Sequence, residues 1–394
     1  MRWLYQLYTV CLLNLGNLKA RLDSSLVAVI GFTGVIMVFV AVFAIRDGFD
    51  STLRESGSPD VAVVLRGGAG AEVNSVLSVN DAKLIAEAPG IQQSSGSVPV
   101  ASGELLVQLS MPKIDSDTDA NVPFRGVDAN AFLVHEKVRV VEGRNFQPGL
   151  NEVVVGLRAS HQYKGLHLND TIRSGPYSWK VVGLFDDGGV YSSEVWGDLT
   201  VMQAAYKRGS SVESVYVKLA GPEGYRQFKD YLTSNPQLTV SVDRETDFYA
   251  EQSKAMNAFI TYAGAFIALL MGIGAIFGAV NTMYNSVSSR AAEIATLRAL
   301  GFGRSPVLLS VLVEGMLLGL AGGIVGGILA YLLFNGIETS TMGSNFAQIA
   351  FSFRVTPDLL VRGAIYALLM GMLGGLLPAI RAVRMPIASS LRQL

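Results

Sequence analysis

The sequence predicts an α-helical membrane protein with four transmembrane helices plus a large α+β extracytoplasmic domain. Half of the 394 residues are hydrophobic and only 16% are charged, against about 25% charged residues in ordinary soluble domains. Charge-free runs long enough to cross a bilayer lie near both ends of the chain, on either side of a long charged stretch. These observations exclude an ordinary cytosolic enzyme, and the net charge of -1 excludes a globally basic nucleic-acid binder.

The first transmembrane helix is predicted at 24–45, where 22 uncharged residues separate Asp23 from Arg46. A helix needs roughly 20 residues to cross the hydrocarbon core, whereas a cleaved signal peptide, the rival interpretation, has a shorter apolar stretch. The domain follows at 46–254. The later boundaries are a second span at 255–283, a cytosolic segment at 284–304, a third span at 305–335, an extracytoplasmic loop at 336–362, a fourth span at 363–380 and a cytosolic tail at 381–394.

The distribution of charged residues predicts which segments lie on each side of the membrane. Residues 46–254 carry 27 acids and 20 bases, while the rest of the chain carries 5 acids and 11 bases. The bases flanking the spans on one side are Arg2, Lys19, Arg21, Arg290, Arg298, Arg304, Arg381, Arg384 and Arg392. The positive-inside rule therefore predicts cytosolic termini and an external domain. Residues 1–23 have the spacing of a cytosolic amphipathic helix, and an extension of the first span is the alternative.

The domain at 46–254 shows short apolar runs typical of strands, with two helices among them. The predicted strands lie near 61–66, 105–109, 152–155, 180–185, 214–219 and 238–242, and the helices near 80–87, after Asn80 as a cap, and 221–233. Asp115, Asp117 and Asp119 begin like a calcium loop but lack its glycine and final glutamate, which favours a solvated loop. With a single cysteine, Cys11, and no P-loop, HExxH or GxSxG motif, the sequence predicts no metal and no catalytic site.

The spans are built for close packing. Span three places small residues on one helical face at Gly315, Gly319, Gly323 and Gly327, and further pairs occur at Gly274 and Gly278 and at Gly371 and Gly375. Such faces admit close backbone approach, either within one subunit or across a dimer interface. Glu314 is the only charge inside a span, and we expect it to reach the interface or to pair with a neighbouring subunit.

The cytosolic segment 284–304 contains a predicted helix with Ile294, Leu297 and Leu300 along an apolar ridge. Glu293 and Arg298 flank this ridge with charge that could fix its register in a cytosolic cleft. The alternative is a helix that lies on lipid headgroups.

This layout, together with its motifs, resembles the permease subunits of MacB/FtsX-type ABC transporters, the type VII or mechanotransmission class, over nearly the whole chain. The motifs are Asn17–Leu22, Arg125–Asp128 with Phe132, Glu142–Phe146, Glu152–Gly156, Val181–Phe185, Arg290–Gly301 and Pro386–Arg392. In the last of these, Ser389 stands where the family commonly has a glutamate.

The resemblance implies a MacB-like periplasmic domain and a chain without cofactor or enzymatic activity, whose separate ABC ATPase partner binds ATP and Mg. The residues that it implies for ATPase coupling are Arg290, Glu293, Ile294, Leu297, Arg298, Leu300 and Gly301. It further implies a bacterial inner-membrane location, a second permease copy or a related permease, and room for a periplasmic adaptor and an outer-membrane channel. The implied function is export or extraction of a substrate by mechanotransmission. An FtsX-like regulator of a cell-wall hydrolase and a stand-alone membrane receptor remain as alternatives.

Overall fold

The computed structural model describes residues 22–94, 96–174, 176–342 and 348–386. The helices in these ranges are α1 (Leu22–Ser56), α2 (Val79–Ala86), α3 (Ala131–Val134), α4 (Leu157–Gln162), α5 (Leu199–Ala205), α6 (Pro222–Ser234), α7 (Glu245–Ser289), α8 (Ala291–Ala299), α9 (Arg304–Phe334) and α10 (Pro357–Arg384). The strands are β1 (Val61–Arg66), β2 (Ala101–Pro112), β3 (Asp119–Val127), β4 (Arg139–Gly143), β5 (Glu152–Gly156), β6 (Thr171–Ser174), β7 (Tyr177–Asp186), β8 (Val195–Asp198), β9 (Ser214–Lys218), β10 (Val240–Arg244), β11 (Glu338–Met342) and β12 (Gln348–Ser352).

The described chain divides into two compact units. The helical unit contains residues 22–48, 258–337 and 353–386, and the α+β domain contains Phe49–Asn257 and Glu338–Ser352. Nearly all of the predicted amphipathic helix at 1–23, and positions 387–394 of the predicted tail, lie outside the described residues.

Among the described residues, four helices, α1, α7, α9 and α10, are long and apolar enough to cross a membrane, so the predicted four-span layout is confirmed. Helices α1, α7 and α10 are longer than the predicted spans, whereas α9 has the predicted length. In α10, for example, the helix begins at Pro357 rather than 363, because Thr356 accepts a hydrogen bond from the Leu359 amide and proline suits the first helical turn. Arg362 pairs with Asp358 one turn away, at 2.6 Å, so charge does not interrupt the helix there.

The helical unit has its own apolar core. Phe32 and Ile36 of α1, Val311 of α9 and Ala367 and Met370 of α10 are all buried in one cluster. Small residues at the α9–α10 contact let the two helices pack with backbone against backbone.

The α+β domain is built on a ten-stranded sheet with the order β10-β1-β9-β2-β3-β8-β5-β7-β4, and β6 pairs with β7. The pairs β3–β8 and β5–β7 are parallel, and the other pairs are antiparallel. One apolar cluster lies around Phe124, Trp179 and Met202, and another lies around Val64, Val217 and Phe228. The long strand β2 contributes to both clusters, because its first half pairs with β9 and its second half with β3.

Some predicted local features differ from the structure. Helix α2 is capped by Ser78, whose side chain accepts from the Asp81 amide while Asp81 accepts from the Ser78 amide, so Asn80 is not the cap. The sequence analysis also missed β3, β4, β6 and β8, which are short or contain charged residues. Asp117 lies in the turn between β2 and β3 with a φ of 56° and pairs with Lys164 at 2.8 Å.

The predicted loop at 336–362 contains the antiparallel pair β11–β12, which belongs to the α+β domain. Ala350 of β12 accepts a hydrogen bond from Arg158 at 3.2 Å and donates its amide to Ser193 at 3.2 Å. Phe351 is buried, and its ring meets that of Phe49 edge to face at 5.5 Å. A second stretch of chain, distant in sequence, therefore completes the domain.

Candidate functional site

The segment 284–304 forms the end of α7, the short helix α8 and the turn into α9. Helix α8 starts after Arg290, which occupies its N-cap position. It ends before Gly301, whose φ of 92° is a conformation that other residues rarely adopt. The amides of Gly301 and Phe302 donate to the carbonyl groups of Arg298 and Leu297, which closes the end of the helix.

The inner side of α8 is joined to α9 by a buried ion pair. Arg290 and Glu314 are 4% and 5% exposed, and the guanidinium lies 2.5 Å from the carboxylate. Ser286 also donates to Glu314, at 3.2 Å. Glu314 thus has its partners within its own chain, in contrast to the expected reach to the interface or to a neighbouring subunit. Arg290 is buried against Glu314 and is not part of the exposed side of α8.

The far end of α8 is joined to α10. Arg298 donates to the carbonyl oxygens of Val383 and Met385 at 3.0 and 2.8 Å. These groups lie at the C-terminus of α10, where the helix dipole is negative and a cation is stabilising. Helix α8 is therefore held by charge at both of its ends.

The three apolar residues of the predicted ridge do not share one environment. Ile294 is buried in the helical core, Leu297 is half-buried, and Leu300 is 72% exposed. The reason is geometric, since each three-residue step falls about 60° short of a full helical turn. Glu293 is exposed, so the uncovered side of α8 presents Glu293 and Leu300 rather than the whole ridge.

The glycine faces of α9 contact helices of the same chain. A Cβ at Gly315 would lie 2.6 Å from the Gly371 oxygen, and one at Gly319 would lie 2.4 Å from the Ala367 oxygen. Gly323 also faces Ala367, and Gly327 faces Leu360, whereas Gly322 and Gly326 face α1. Of the two alternatives, these glycines serve packing within one subunit.

The α7 glycines differ from those of α9. A Cβ at Gly274 or Gly278 would meet no described atom within 4 Å, so of the two alternatives the described residues show no close packing within the subunit at these glycines.

Two family models match this chain. The MacB-like periplasmic core domain matches residues 25–235, and the FtsX-like permease C-terminal matches residues 265–387. The first match alone covers more than half of the 394 residues. The chain belongs to the MacB/FtsX family of ABC-transporter permeases.

Two curated relatives are similar to this permease. The macrolide export ATP-binding/permease protein MacB of Mannheimia succiniciproducens is 25% identical over 389 residues, covering 93% of this chain and 57% of the relative. An uncharacterized ABC transporter permease protein of Mycobacterium tuberculosis is 24% identical over 314 residues, covering 75% of this chain and 35% of the relative. The permease thus spans little more than half the length of one relative and about a third of the other.

Among solved structures, the periplasmic region of MacB from Actinobacillus actinomycetemcomitans has a TM-score of 0.37 at 14% identity and covers 50% of this chain and 92% of that one. The extracellular domain of the ABC-type transporter YknZ from Gram-positive bacteria has a TM-score of 0.35 at 12% identity, covering 47% and 100%.

Three of the four motifs of the MacB/FtsX permease that lie in the α+β domain come together on neighbouring strands of its sheet, and the fourth, at Arg125–Asp128, begins in β3. Glu152–Gly156 is β5, Val181–Phe185 lies in the neighbouring β7, and Glu142 and Gly143 lie in β4, on the other side of β7. Arg144 joins two of these motifs through its ion pair with Glu152 at 2.5 Å. This pairing holds the pKa of the Glu152 carboxyl below its usual range. The motifs at Asn17–Arg21 and at positions 387–392 lie outside the described residues.

Proposed function

We propose that this permease works with a separate ABC ATPase, which binds ATP and Mg, and passes the motion of that ATPase to its external domain to export or extract a substrate. The permease itself then needs no cofactor. In this proposal it sits in a bacterial inner membrane with cytosolic termini, pairs with a second permease copy or a related permease, and leaves room for a periplasmic adaptor and an outer-membrane channel.

The observation that carries the proposal is the way in which α8 is attached to two transmembrane helices. Its inner side is joined to α9 through Arg290 and Glu314, and its end to α10 through Arg298, while Leu300 stays exposed on the other side. In this proposal the ATPase buries the exposed side chain of Leu300, which removes apolar surface from water, and contacts the exposed Glu293. A force applied to this side would therefore reach two transmembrane helices at once.

A displacement of α9 would also move α10, because the two helices are packed backbone to backbone at Gly315 and Gly371. Close-packed interiors transmit displacement, since they have few voids to absorb it. Helix α7, which leads into α8, begins in the α+β domain at Glu245. The second transmembrane helix is therefore a direct covalent path from the coupling segment to that domain.

Removing the outward anchors of α8 is expected to release the ATPase. In a Glu293→Ala, Leu300→Ala variant, both changes fall on exposed positions, so folding and membrane insertion should be retained. Loss of two anchors that contribute about 1 kcal/mol each or more corresponds to a loss of affinity of about 30-fold. Co-purification of the ATPase and ATP turnover in liposomes would measure this loss.

A matched control for this test is Asp230→Ala with Tyr231→Ala, an acidic and an apolar residue that are both exposed on α6. This variant should recover the ATPase like the wild type. Equal recovery from both variants would contradict the docking role of α8, and the absence of any co-purifying ATPase from the wild type would favour the receptor hypothesis. A co-purifying cell-wall hydrolase would favour the FtsX-like regulator.

The topology can be tested with single cysteines, because Cys11 is the only natural one. In a Cys11→Ser background, Arg139→Cys on β4 and Thr296→Cys on α8 both introduce exposed thiols. An impermeant thiol reagent added to intact cells should label position 139 and should label position 296 only after the inner membrane is permeabilised. Labelling of position 296 but not of position 139 in intact cells would show that the permease has the opposite orientation in the membrane.

A further inference from the structure

A cluster of buried charges lies at the centre of the α+β domain. Arg125 of β3 is 1% exposed, and its guanidinium contacts the carboxylates of Glu72, Glu104 and Glu194 at 2.7, 2.9 and 2.7 Å. The three carboxylates are themselves buried. Arg125 therefore joins strands β2 and β3 to two segments that are distant in sequence.

His135, which follows α3, extends this cluster. Its Nε2 lies 2.8 Å from Glu104 and its Nδ1 lies 3.7 Å from Glu245. Because each ring nitrogen faces a carboxylate oxygen, a neutral ring would turn a lone pair toward one of them, whereas an imidazolium suits both. Burial lowers the pKa of His135, but Glu104 and Glu245 outweigh it and hold this pKa above its usual value.

The balance of charge favours the same protonation state. Four buried carboxylates share this cluster with one guanidinium, so a neutral His135 would leave the negative charge less compensated, and uncompensated buried charge is costly. Neutral donors supply further hydrogen bonds, from Ser214 and Tyr216 to Glu72 and from Trp196 to Glu194. The titratable groups packed directly around the ring are Glu104, Arg125, Tyr191, Tyr216 and Glu245.

Glu245 is the first residue of α7, the second transmembrane helix. Besides facing His135, its carboxylate accepts hydrogen bonds from the Tyr191 hydroxyl and from the Ser58 amide, each at 2.8 Å. Ser58 lies just beyond the end of α1. A Cβ at the neighbouring Gly57 would come within 2.8 Å of the Thr246 backbone, so the chain after α1 passes directly over the head of α7.

A cavity adjoins this point. It has a volume of about 160 Å³, it is lined by His135, Tyr191 and Glu245 among others, and it is partly open to the surface. The charged groups on its outer wall are Asp60, Glu136, Lys137, Asp187 and Lys218. Lys218 and Glu136 pair with each other, and Lys137 donates to the carbonyl groups of Glu55 and Gly57.

We propose that His135, as an imidazolium between Glu104 and Glu245, is the positioning residue that fastens the head of α7 to the central sheet of the external domain, and that losing its proton loosens this attachment. The inference deepens the proposed function and rests on it, because the attachment decides how much of the motion of α7 reaches the sheet. A group whose pKa is raised in the folded protein contributes below its unfolded pKa of about 6.5 and loses that contribution as the pH rises through the folded value.

The test uses the full-length permease with its ATPase and two nitroxide labels, at Glu251→Cys on α7 and Asp119→Cys on β3, in a Cys11→Ser background. Both positions are exposed and belong to the α+β domain. Electron–electron resonance should give a narrow distance distribution at about pH 5.5 and a broad one well above the usual histidine pKa of about 6.5. Each pKa unit contributed by the two carboxylates corresponds to about a ten-fold change in the ratio of attached to detached α7 head.

Variants show whether the pH response comes from His135 or from another titratable group. His135→Gln should give the broad distribution at both pH values, and Glu245→Gln, whose amide oxygen can still accept from Tyr191 and Ser58, should remove most of the pH response. The chain has three histidines, and His161 and His167 are exposed, so His161→Gln and His167→Gln should keep the wild-type response. If His135→Gln does not fold, the wild-type pH series and these two controls still test whether His135 controls the attachment of the α7 head.

A wild-type distribution that does not change with pH, or a response that disappears in the His161→Gln or His167→Gln control, would overturn the role of His135. Addition of ATP and Mg to the labelled complex tests the proposed function separately. An unchanged distance on ATP addition, with the pH response intact, would reject mechanotransmission and leave the His135 attachment standing. An ATP-driven change in distance without any pH response would support mechanotransmission and reject the His135 attachment.

Discussion

Replacement of Arg125 by methionine is expected to unfold the α+β domain or to leave it barely stable. The change removes the cation from among Glu72, Glu104 and Glu194, all of which remain buried. Breaking a buried ion pair from one side costs about 3 to 5 kcal/mol, a large part of the roughly 5 to 15 kcal/mol that stabilises a typical domain. Thermal unfolding of the detergent-solubilised permease would measure the loss.

The matched control is Arg144→Met. Arg144 also pairs with a glutamate, Glu152, but its side chain is 49% exposed, and exposed pairs contribute only about 0 to 1 kcal/mol. The Arg125 variant should also recover part of its stability in acid, because carboxylates that have lost their cation have a raised pKa and are stabilised by protonation as the pH falls. Equal losses in the two variants, with no recovery in acid, would contradict the role of burial.

Replacement of Gly315 by leucine is expected to separate α9 from α10. The Gly315 Cβ position lies 2.6 Å from the Gly371 oxygen, and the Gly371 Cβ position lies 2.3 Å from the Gly315 oxygen. The obstacle on each side is backbone, which cannot rotate away as a side chain can. Overpacking costs about 1 to 3 kcal/mol even where side chains can adjust, so we expect a loss at or above this range, measured as a drop in melting temperature and in the monodisperse fraction.

Gly278→Leu is the control for this change, since no described atom lies within 4 Å of its Cβ position on α7. The same substitution should be tolerated there. A comparable loss at both positions would mean that the effect comes from leucine in a membrane helix in general. A loss at Gly278 alone would identify α7 as a contact with another chain.

The candidate site was predictable from the sequence in part. The spacing of Ile294, Leu297 and Leu300 predicted a short helix in this segment, because apolar periodicity is a property of neighbouring residues. The pairing of Arg290 with Glu314 was not predictable, because it depends on how α8 packs against α9. Nor could the sequence show that Ile294 faces the core while Leu300 faces outward, since spacing defines a helical face but not what covers it.

Strand β3 shows a second limit. Arg125 lies within this strand, and a charge there argues against a buried strand when only local preference is considered. The three carboxylates that make its burial tolerable come from positions 72, 104 and 194. The register of β2, β3 and β8 brings Glu104 and Glu194 close to Arg125, and Glu72 reaches it from a segment outside these strands.

The sequence by itself determined the four membrane spans, the acidic domain between the first two and the family motifs. Each of these is a property of a continuous stretch, because about 20 uncharged residues suffice to predict a crossing wherever they occur. The tertiary structure alone decided that 338–352 completes the α+β domain, that the α9 glycines face α1 and α10, and that His135 meets Glu245. These contacts join residues far apart in sequence, and their energies depend on burial and distance, which no local pattern contains.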